Sequence, residues 1–112
     1  MELYHNPRCQ KSRETLKLLE EKGVKFEIRK YLEDTPDRTE LKEVIDKLGI
    51  PAEELVRKTE KIYKSNFKGK DLSEDEWIKA MVENPKLIQR PILIKGSKAA
   101  IGRPPETVLE IL

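Results

Sequence analysis

The chain has 112 residues, a length that suits one domain with a single modest core. Its 23 basic and 21 acidic side chains nearly cancel and leave a net charge of +2, so the marked basic excess typical of a general nucleic-acid binder is absent. Charged residues make up 39% of the chain and apolar residues 37%, which requires a small and clearly patterned core. We therefore expect one globular domain that binds no nucleic acid.

Cysteine content and the N-terminal residues indicate the compartment. Cys9 is the only cysteine, which excludes an internal disulfide and gives no sign of an oxidising environment. The opening residues MELYHNP contain no apolar stretch of signal-peptide length, and no window approaches a membrane span. We expect a cytoplasmic protein without a membrane partner.

The first third of the chain predicts a strand, a helix and a second strand. Glu2 to His5 predicts a short strand, and the following helix should stop at Gly23 in a left-handed conformation. The segment VKFEIR, residues 24–29, alternates apolar and charged side chains, as in a strand. Strand, helix and strand within about 30 residues form a βαβ unit, which implies parallel pairing.

The middle of the chain predicts a helical segment. A helix should begin at Thr35-Pro36 and end at Gly49, and a short helix that carries Leu55, Val56 and Arg57 should start at Pro51. Residues 60–71 are rich in lysine and weakly patterned, which predicts a loop. The segment LSEDEW, residues 72–77, predicts a helix start with a Ser73–Glu76 capping box, and this helix should extend to about Asn84-Pro85.

The last residues predict a hairpin and a final helix. The segment PILI, from Pro91, reads as a buried strand, and KGSK offers a Gly-Ser turn into KAAIG. Pro104-Pro105 opens the last helix, whose inward residues should be Val108, Leu109 and Leu112. The order β-α-β, helices, β-β-α predicts an α/β, thioredoxin-like (glutaredoxin-like) domain over residues 1–112, with a helical insertion at about 36–85.

The segment HNPRCQKSR holds the only cysteine and the only histidine of the chain. Cys9 falls at a predicted helix start, where unpaired N–H groups and the macrodipole lower a thiol pKa and can also hold an oxyanion. Arg8, Lys11 and Arg13 add positive potential. No apolar residue lies between Asn6 and Arg13, which argues against a packing role. The segment predicts an activated thiolate beside an anion site.

A histidine and three arginines are further candidates. His5 can hydrogen-bond near the thiolate or serve a structural role, and one histidine with one cysteine forms no usual metal-ligand set. Arg57, Arg90 and Arg103 stand apart by context, although each could equally form a surface salt bridge. Arg90 and Arg103 flank the predicted hairpin, so they should lie at one edge of the sheet. An arginine fork suits a tetrahedral oxyanion.

Five sequence blocks carry a resemblance to a known family. The block YHNPRCQKSRETL matches the signature Y-H-N-P-x-C-x-x-S-R-x-x-L, and YLEDTP matches Y-L-E-x-x-P. The blocks LVRK, NPKLIQRPIL and IGRPPETVLEIL follow in the same order. Over residues 1–112 the chain resembles the glutaredoxin-coupled arsenate reductases, the ArsC family, and above all its short reductase-like bacterial members.

The resemblance implies a thioredoxin-like fold with a helical insertion and catalysis by one thiolate. Cys9 corresponds to the cysteine that attacks arsenate. Glutathione would be the co-substrate and glutaredoxin the partner that complete reduction to arsenite, with no bound cofactor. The arginines that correspond to the oxyanion-binding residues are Arg57, Arg90 and Arg103. The auxiliary positions are His5, Ser12 and Pro91, of which Pro91 corresponds to a proline that follows a cis peptide bond.

One departure from the family pattern keeps alternatives open. Gln10 and Lys11 stand where well-studied members have small residues, often Gly-Thr, which could narrow the pocket or bring a charge to it. The first alternative is a glutathione-linked thiol oxidoreductase of the same fold with another substrate. The second is a Spx-like redox regulator that binds RNA polymerase. Such regulators typically carry a CxxC switch, which Ser12 prevents here.

Overall fold

Four short strands form a mixed sheet from the two ends of the chain. The strands are β1 (Glu2–Tyr4), β2 (Glu27–Arg29), β3 (Ile92–Lys95) and β4 (Lys98–Ile101), in the order β2-β1-β3-β4. β1 pairs with β2 in parallel, whereas β1 with β3 and β3 with β4 are antiparallel. The predicted βαβ and ββα halves are therefore confirmed, and they join along the β1–β3 pairing.

One long helix and the C-terminal residues bury the apolar side chains of this sheet. Helix α1 (Gln10–Glu21) connects β1 to β2, and Gly23 follows it at a φ of 69°, as predicted. A 3-10 helix (Pro105–Ile111) ends the chain. The buried cluster between these elements consists of Leu3, Leu19, Leu93, Ala100 and Val108. This packing fixes the N-terminal end of α1 relative to β3 and β4.

The computed structural model describes residues 1–112, and their contacts divide into two units. The first unit contains residues 1–34 and 90–112, hence the sheet and α1; the second contains residues 35–89. The predicted helical insertion, about residues 36–85, falls inside the second unit. No helix in either unit combines the length and apolar character that a membrane crossing requires.

The second unit contains three α-helices, α2 (Arg38–Leu48), α3 (Lys61–Asn66) and α4 (Glu74–Glu83). A 3-10 helix, Ala52–Leu55, lies between α2 and α3, and another, Pro85–Leu87, follows α4. The Ser73–Glu76 capping box at the start of α4 is confirmed, because the Glu76 N–H donates to Ser73 Oγ at 3.2 Å and the Ser73 N–H donates to Glu76 at 3.0 Å.

The prediction of a loop over residues 60–71 is wrong in part, because this segment contains α3. The sequence pattern is weak, but the rings of Tyr63 and Phe67 lie with their centroids 6.4 and 6.1 Å from that of Trp77. These long-range aromatic contacts hold a helix of six residues that would be marginal by itself. Helix α2 likewise begins later than predicted, because Asp37 caps it and forms a capping box with Glu40.

Three ends of predicted elements also differ. Strand β2 covers only residues 27–29 of the predicted 24–29, and as an edge strand it leaves Ile28 49% exposed. Val56 and Arg57 fall outside the short 3-10 helix, since Val56 bridges to Ile88. Leu112 is 39% exposed, because three residues per turn place residues 105, 108 and 111 on the inward face instead.

We predict that Ser73→Ala lowers the free energy of unfolding by about 1 kcal/mol, because it leaves the Glu76 N–H without its cap. Urea titration followed by the fluorescence of Trp77, the only tryptophan, measures this change. The control Ser97→Ala removes an exposed hydroxyl in the hairpin turn and should change stability by less than about 0.5 kcal/mol. Equal effects of the two substitutions would contradict the role of the capping box.

Candidate active site

Cys9 is the N-cap residue of α1. Its backbone is extended, with a φ of −94° and a ψ of 124°, while its carbonyl already accepts the first helical hydrogen bond from the Arg13 N–H at 3.0 Å. The preceding turn is closed by the Cys9 N–H, which donates to the Asn6 carbonyl at 3.0 Å, and by the Arg8 N–H, which donates to Asn6 Oδ1 at 3.0 Å. The half-buried thiol is thus held at the positive end of the helix dipole, as predicted.

The surroundings of Cys9 favour the thiolate. Burial by itself raises the pKa of the thiol, but the Ser12 N–H, the Arg90 side chain and the charge of Arg103 outweigh burial, so the pKa lies below its ordinary value. The Ser12 N–H makes no cap hydrogen bond of standard geometry to the sulfur, and it acts as a nearby dipole at the third helical position. A lowered pKa increases the fraction of nucleophilic thiolate at neutral pH.

Arg103 is in direct contact with the sulfur. Its Nη2 donates to Cys9 Sγ at 3.4 Å, and its Nε donates to the Arg90 carbonyl at 2.8 Å. The second hydrogen bond fixes the plane of the guanidinium, so that the first is directed at the sulfur. The expected proximity of Arg90 and Arg103 at one edge of the sheet is therefore confirmed.

Two of the basic residues near Cys9 in sequence, Lys11 and Arg13, have other partners. Lys11 forms an exposed ion pair with Glu14 at 3.5 Å, and Arg13 Nη1 donates to the Pro7 carbonyl at 3.0 Å. The positive potential at the thiol comes instead from Arg90 and Arg103, which are distant in sequence. Each of these arginines precedes a cis peptide bond, Arg90–Pro91 and Arg103–Pro104. The first is the geometry that the family resemblance implies for Pro91, and the second was not predicted.

Gly102 is a positioning residue that the sequence analysis missed. A Cβ at this position would lie 2.6 Å from Thr15 Oγ1 and 2.8 Å from Pro91 Cγ, both closer than real Cβ contacts allow. Thr15 cannot easily give way, because it is buried and its hydroxyl donates to the Lys11 carbonyl at 2.9 Å. The sequence contains one signal for this role, because Gly102 directly precedes Arg103 at a place where no predicted turn requires a glycine. Its small size lets the end of β4 approach α1 and bring Arg103 to Cys9.

His5 is connected to the site through Ser12. His5 Nδ1 and Ser12 Oγ lie 2.7 Å apart, and the Asn6 N–H donates to the same hydroxyl at 3.0 Å. His5 is only 5% exposed and Ser12 is fully buried. Burial, together with the charges of Lys30 and Arg13, lowers the pKa of His5, so the ring is neutral at neutral pH. Of the two roles open for His5, this network corresponds to the structural one, since no hydrogen bond joins the ring to Cys9.

Arg57 belongs to the second unit. Its N–H donates to the Leu87 carbonyl at 2.6 Å, next to the bridge between Val56 and Ile88. Its Nε donates to Thr59 Oγ1 at 3.1 Å and forms an ion pair with Glu60 at 3.5 Å. Its Nη1 is buried and has no hydrogen-bond partner. One face of this guanidinium is therefore engaged, while another donor remains available for an acceptor.

The strand order and the placement of a single cysteine at the start of the first helix define a thioredoxin-like α/β protein. Its particular family follows from a match of residues 4–111 to the model of the ArsC family, and the chain belongs to that family.

Individual relatives are similar over nearly the whole chain. An arsenate reductase of Haemophilus influenzae is 52% identical, with 98% of this chain and 97% of that protein covered. An arsenate reductase of Escherichia coli is 37% identical over 98% of this chain and 79% of its own length. The structure of an arsenate reductase from Vibrio cholerae, 47% identical, has a TM-score of 0.94 and covers 100% of this chain and 98% of its own.

We predict that Arg103→Gln shifts the alkylation of Cys9 to higher pH. The substitution removes a positive charge that stabilises the thiolate, so the thiol keeps its proton to a higher pH. The rate of reaction with iodoacetamide as a function of pH measures the pKa directly. Lys11→Gln, which removes a nearby charge paired with Glu14, should leave the profile unchanged. A profile of Arg103→Gln identical to that of the wild type would contradict the assignment.

Proposed function

We propose that the protein is a glutaredoxin-dependent arsenate reductase of the cytoplasm. The observation that carries this proposal is the contact between Cys9 and Arg103, which joins an activated thiol to a guanidinium fork at a helix N-terminus. The arsenate reductases among its relatives, at 52% and 37% identity over almost the full chain, support arsenate as the oxyanion.

In the first step, the Cys9 thiolate attacks the arsenic atom of arsenate. A sulfur–arsenic bond forms and one arsenic–oxygen bond breaks, so that an oxygen leaves as hydroxide, or as water after protonation. The arsenic remains pentavalent in this thiol–arsenate ester. Arg90 and Arg103 neutralise the charge of the incoming anion and of the adduct. They thereby reduce the electrostatic repulsion between the thiolate and arsenate, which are both anions.

External thiols then reduce the adduct. Glutathione attacks the arsenic atom, so that a bond to the glutathione sulfur forms and a second oxygen leaves as water. A glutaredoxin thiolate then attacks this glutathione sulfur and forms a mixed disulfide with it. The bond between that sulfur and arsenic breaks, and its electron pair reduces arsenic(V) to arsenic(III). Hydrolysis of the remaining sulfur–arsenic bond releases arsenite and regenerates the Cys9 thiol. The single cysteine suits this sequence, because no resolving cysteine within the chain is required.

The remaining residues are assigned supporting roles. Arg57 is the third oxyanion ligand that the resemblance implies, and its buried, unpartnered Nη1 is a suitable donor. His5 and Ser12 hold the loop before Cys9 against α1 through their hydrogen bond. Pro91 follows Arg90 through the cis bond at the start of β3.

Gln10 and Lys11 do not narrow the approach to the thiol in the way that their size suggested. Gln10 Nε2 donates to Glu14 Oε1 at 3.1 Å, and Lys11 pairs with the same carboxylate. Both side chains therefore lie along the exposed surface of α1. This arrangement supports the proposal, because neither side chain obstructs the approach of arsenate to the thiol.

We predict that Cys9→Ser abolishes arsenite formation, and that Arg90→Gln and Arg103→Gln each reduce kcat/KM by about 10²–10³-fold through loss of anion stabilisation. The assay combines purified protein with arsenate, glutathione, glutaredoxin and a reductant that recycles glutathione. Lys11→Gln is the matched control and should retain activity. Wild-type protein that yields no arsenite above background, yet accumulates a stable glutathione adduct on Cys9 by intact mass, would replace arsenate reduction with the glutathione-linked alternative.

A further inference from the structure

A cavity of about 280 Å³ lies beside the loop that leads into Cys9. One side is formed by the loop from His5 to Arg8, and the other by residues that follow β2; the latter are Lys30, Leu32 and Glu33. All of these residues belong to the first unit. The cavity is separate from the Arg90–Arg103 pair, and no step described so far uses it.

We propose that this cavity binds the γ-glutamyl arm of the thiol co-substrate, a small peptide thiol of the glutathione type. The proposal rests on the proposed function, because that function requires an external thiol. It adds the place where that thiol is held and the groups that select it.

The ring of His5 supplies a fixed polar group to the cavity. Ser12 Oγ accepts a hydrogen bond from the Asn6 N–H and lies 2.7 Å from His5 Nδ1, so that one ring nitrogen is engaged. His5 lines the cavity and is 95% buried, so its ring is held in place beside a ligand bound there.

The charges around the cavity match a zwitterionic amino-acid group. Arg8 and Lys30 are cationic and suit a carboxylate, whereas Glu33 suits an ammonium group. The γ-glutamyl arm of glutathione carries one carboxylate and one ammonium on the same carbon atom. Pro7 and Leu32 add an apolar wall, which favours an organic group over a bare inorganic ion.

The distance to Cys9 suits a thiol bound by this arm. Arg8 directly precedes Cys9, so their Cα atoms are about 3.8 Å apart. In glutathione about seven bonds separate the γ-glutamyl Cα from the sulfur, roughly 9 Å when extended. The thiol of a molecule anchored in the cavity can therefore extend toward the adduct on Cys9, while Arg90 and Arg103, which do not line the cavity, hold the oxyanion.

His5 provides an unambiguous reporter, because it is the only histidine. S-methylglutathione, which cannot react with the adduct, is titrated into the wild-type protein while the imidazole Hε1 resonance is followed by NMR. We expect a saturable shift with S-methylglutathione, and no shift with the dipeptide Cys-Gly or with sulfate at equal ionic strength. Lys30→Gln should weaken binding about tenfold, because a charge-assisted contact is lost.

Two further variants keep the result interpretable. Glu33→Gln should weaken the binding of S-methylglutathione but not that of its analogue without the α-ammonium group. Lys25→Gln, an exposed lysine outside the cavity, is the matched control and should bind as the wild type does. Circular dichroism of each variant checks that the fold is retained.

Two results would overturn the proposal. The first is an unchanged His5 resonance at saturating S-methylglutathione. The second is an equal shift with sulfate, which would make the cavity a general anion site. The assay involves no arsenate, so its outcome is independent of the proposed reduction. If the protein binds S-methylglutathione but forms no arsenite, the cavity assignment is retained and the arsenate reductase assignment is wrong. If the protein forms arsenite but the His5 resonance does not shift, the cavity assignment is wrong and the arsenate reductase assignment is retained.

Discussion

The position of Arg103 against the Cys9 sulfur depends on a close approach between the end of β4 and α1. Gly102 makes this approach possible, because any side chain there would collide with Thr15 and with the ring of Pro91. Both neighbours are held, Thr15 by its hydrogen bond within α1 and Pro91 by its place at the start of β3. A hydrogen bond of 2.9 Å from the Gly102 N–H to the Pro91 carbonyl connects the end of β4 to the start of β3. The position of the Arg103 charge beside the thiol thus depends on how closely the backbone packs at Gly102.

This packing explains how the thiolate of a single cysteine is stabilised. The thiolate is favoured by a helix N-terminus and two arginines that come from another part of the chain, so the loop around Cys9 does not need a second thiol or a metal. Ser12, in the position of the second cysteine of a CxxC pair, is instead fully buried and holds His5 and the Asn6 N–H. The residue that stands in place of a second cysteine therefore also orders the loop before Cys9.

The sequence predicted those features that depend on local pattern. Alternation over residues 24–29 and the glycine stop at Gly23 predicted the βαβ half, and the Gly-Ser turn predicted the hairpin of the ββα half. The position of Cys9 at a helix start followed from the proline before it and the apolar spacing beyond it. Contacts over long sequence distances escaped prediction. The bond between Arg103 and Cys9 joins residues 94 positions apart, and α3 depends on rings packed against Trp77. Arg90 and Arg103 were found because they flank a hairpin, whereas Gly102 is identified only by the space that surrounds it.

A crystal structure of the protein soaked with arsenate tests the central claim most directly. We expect continuous density from the Cys9 sulfur to arsenic, with the oxygen atoms of the adduct in hydrogen-bond contact with the guanidinium groups of Arg90 and Arg103. The Arg103 side chain should keep its hydrogen bond to the Arg90 carbonyl. An unmodified Cys9 at saturating arsenate, or an oxyanion bound away from these arginines, would contradict the account.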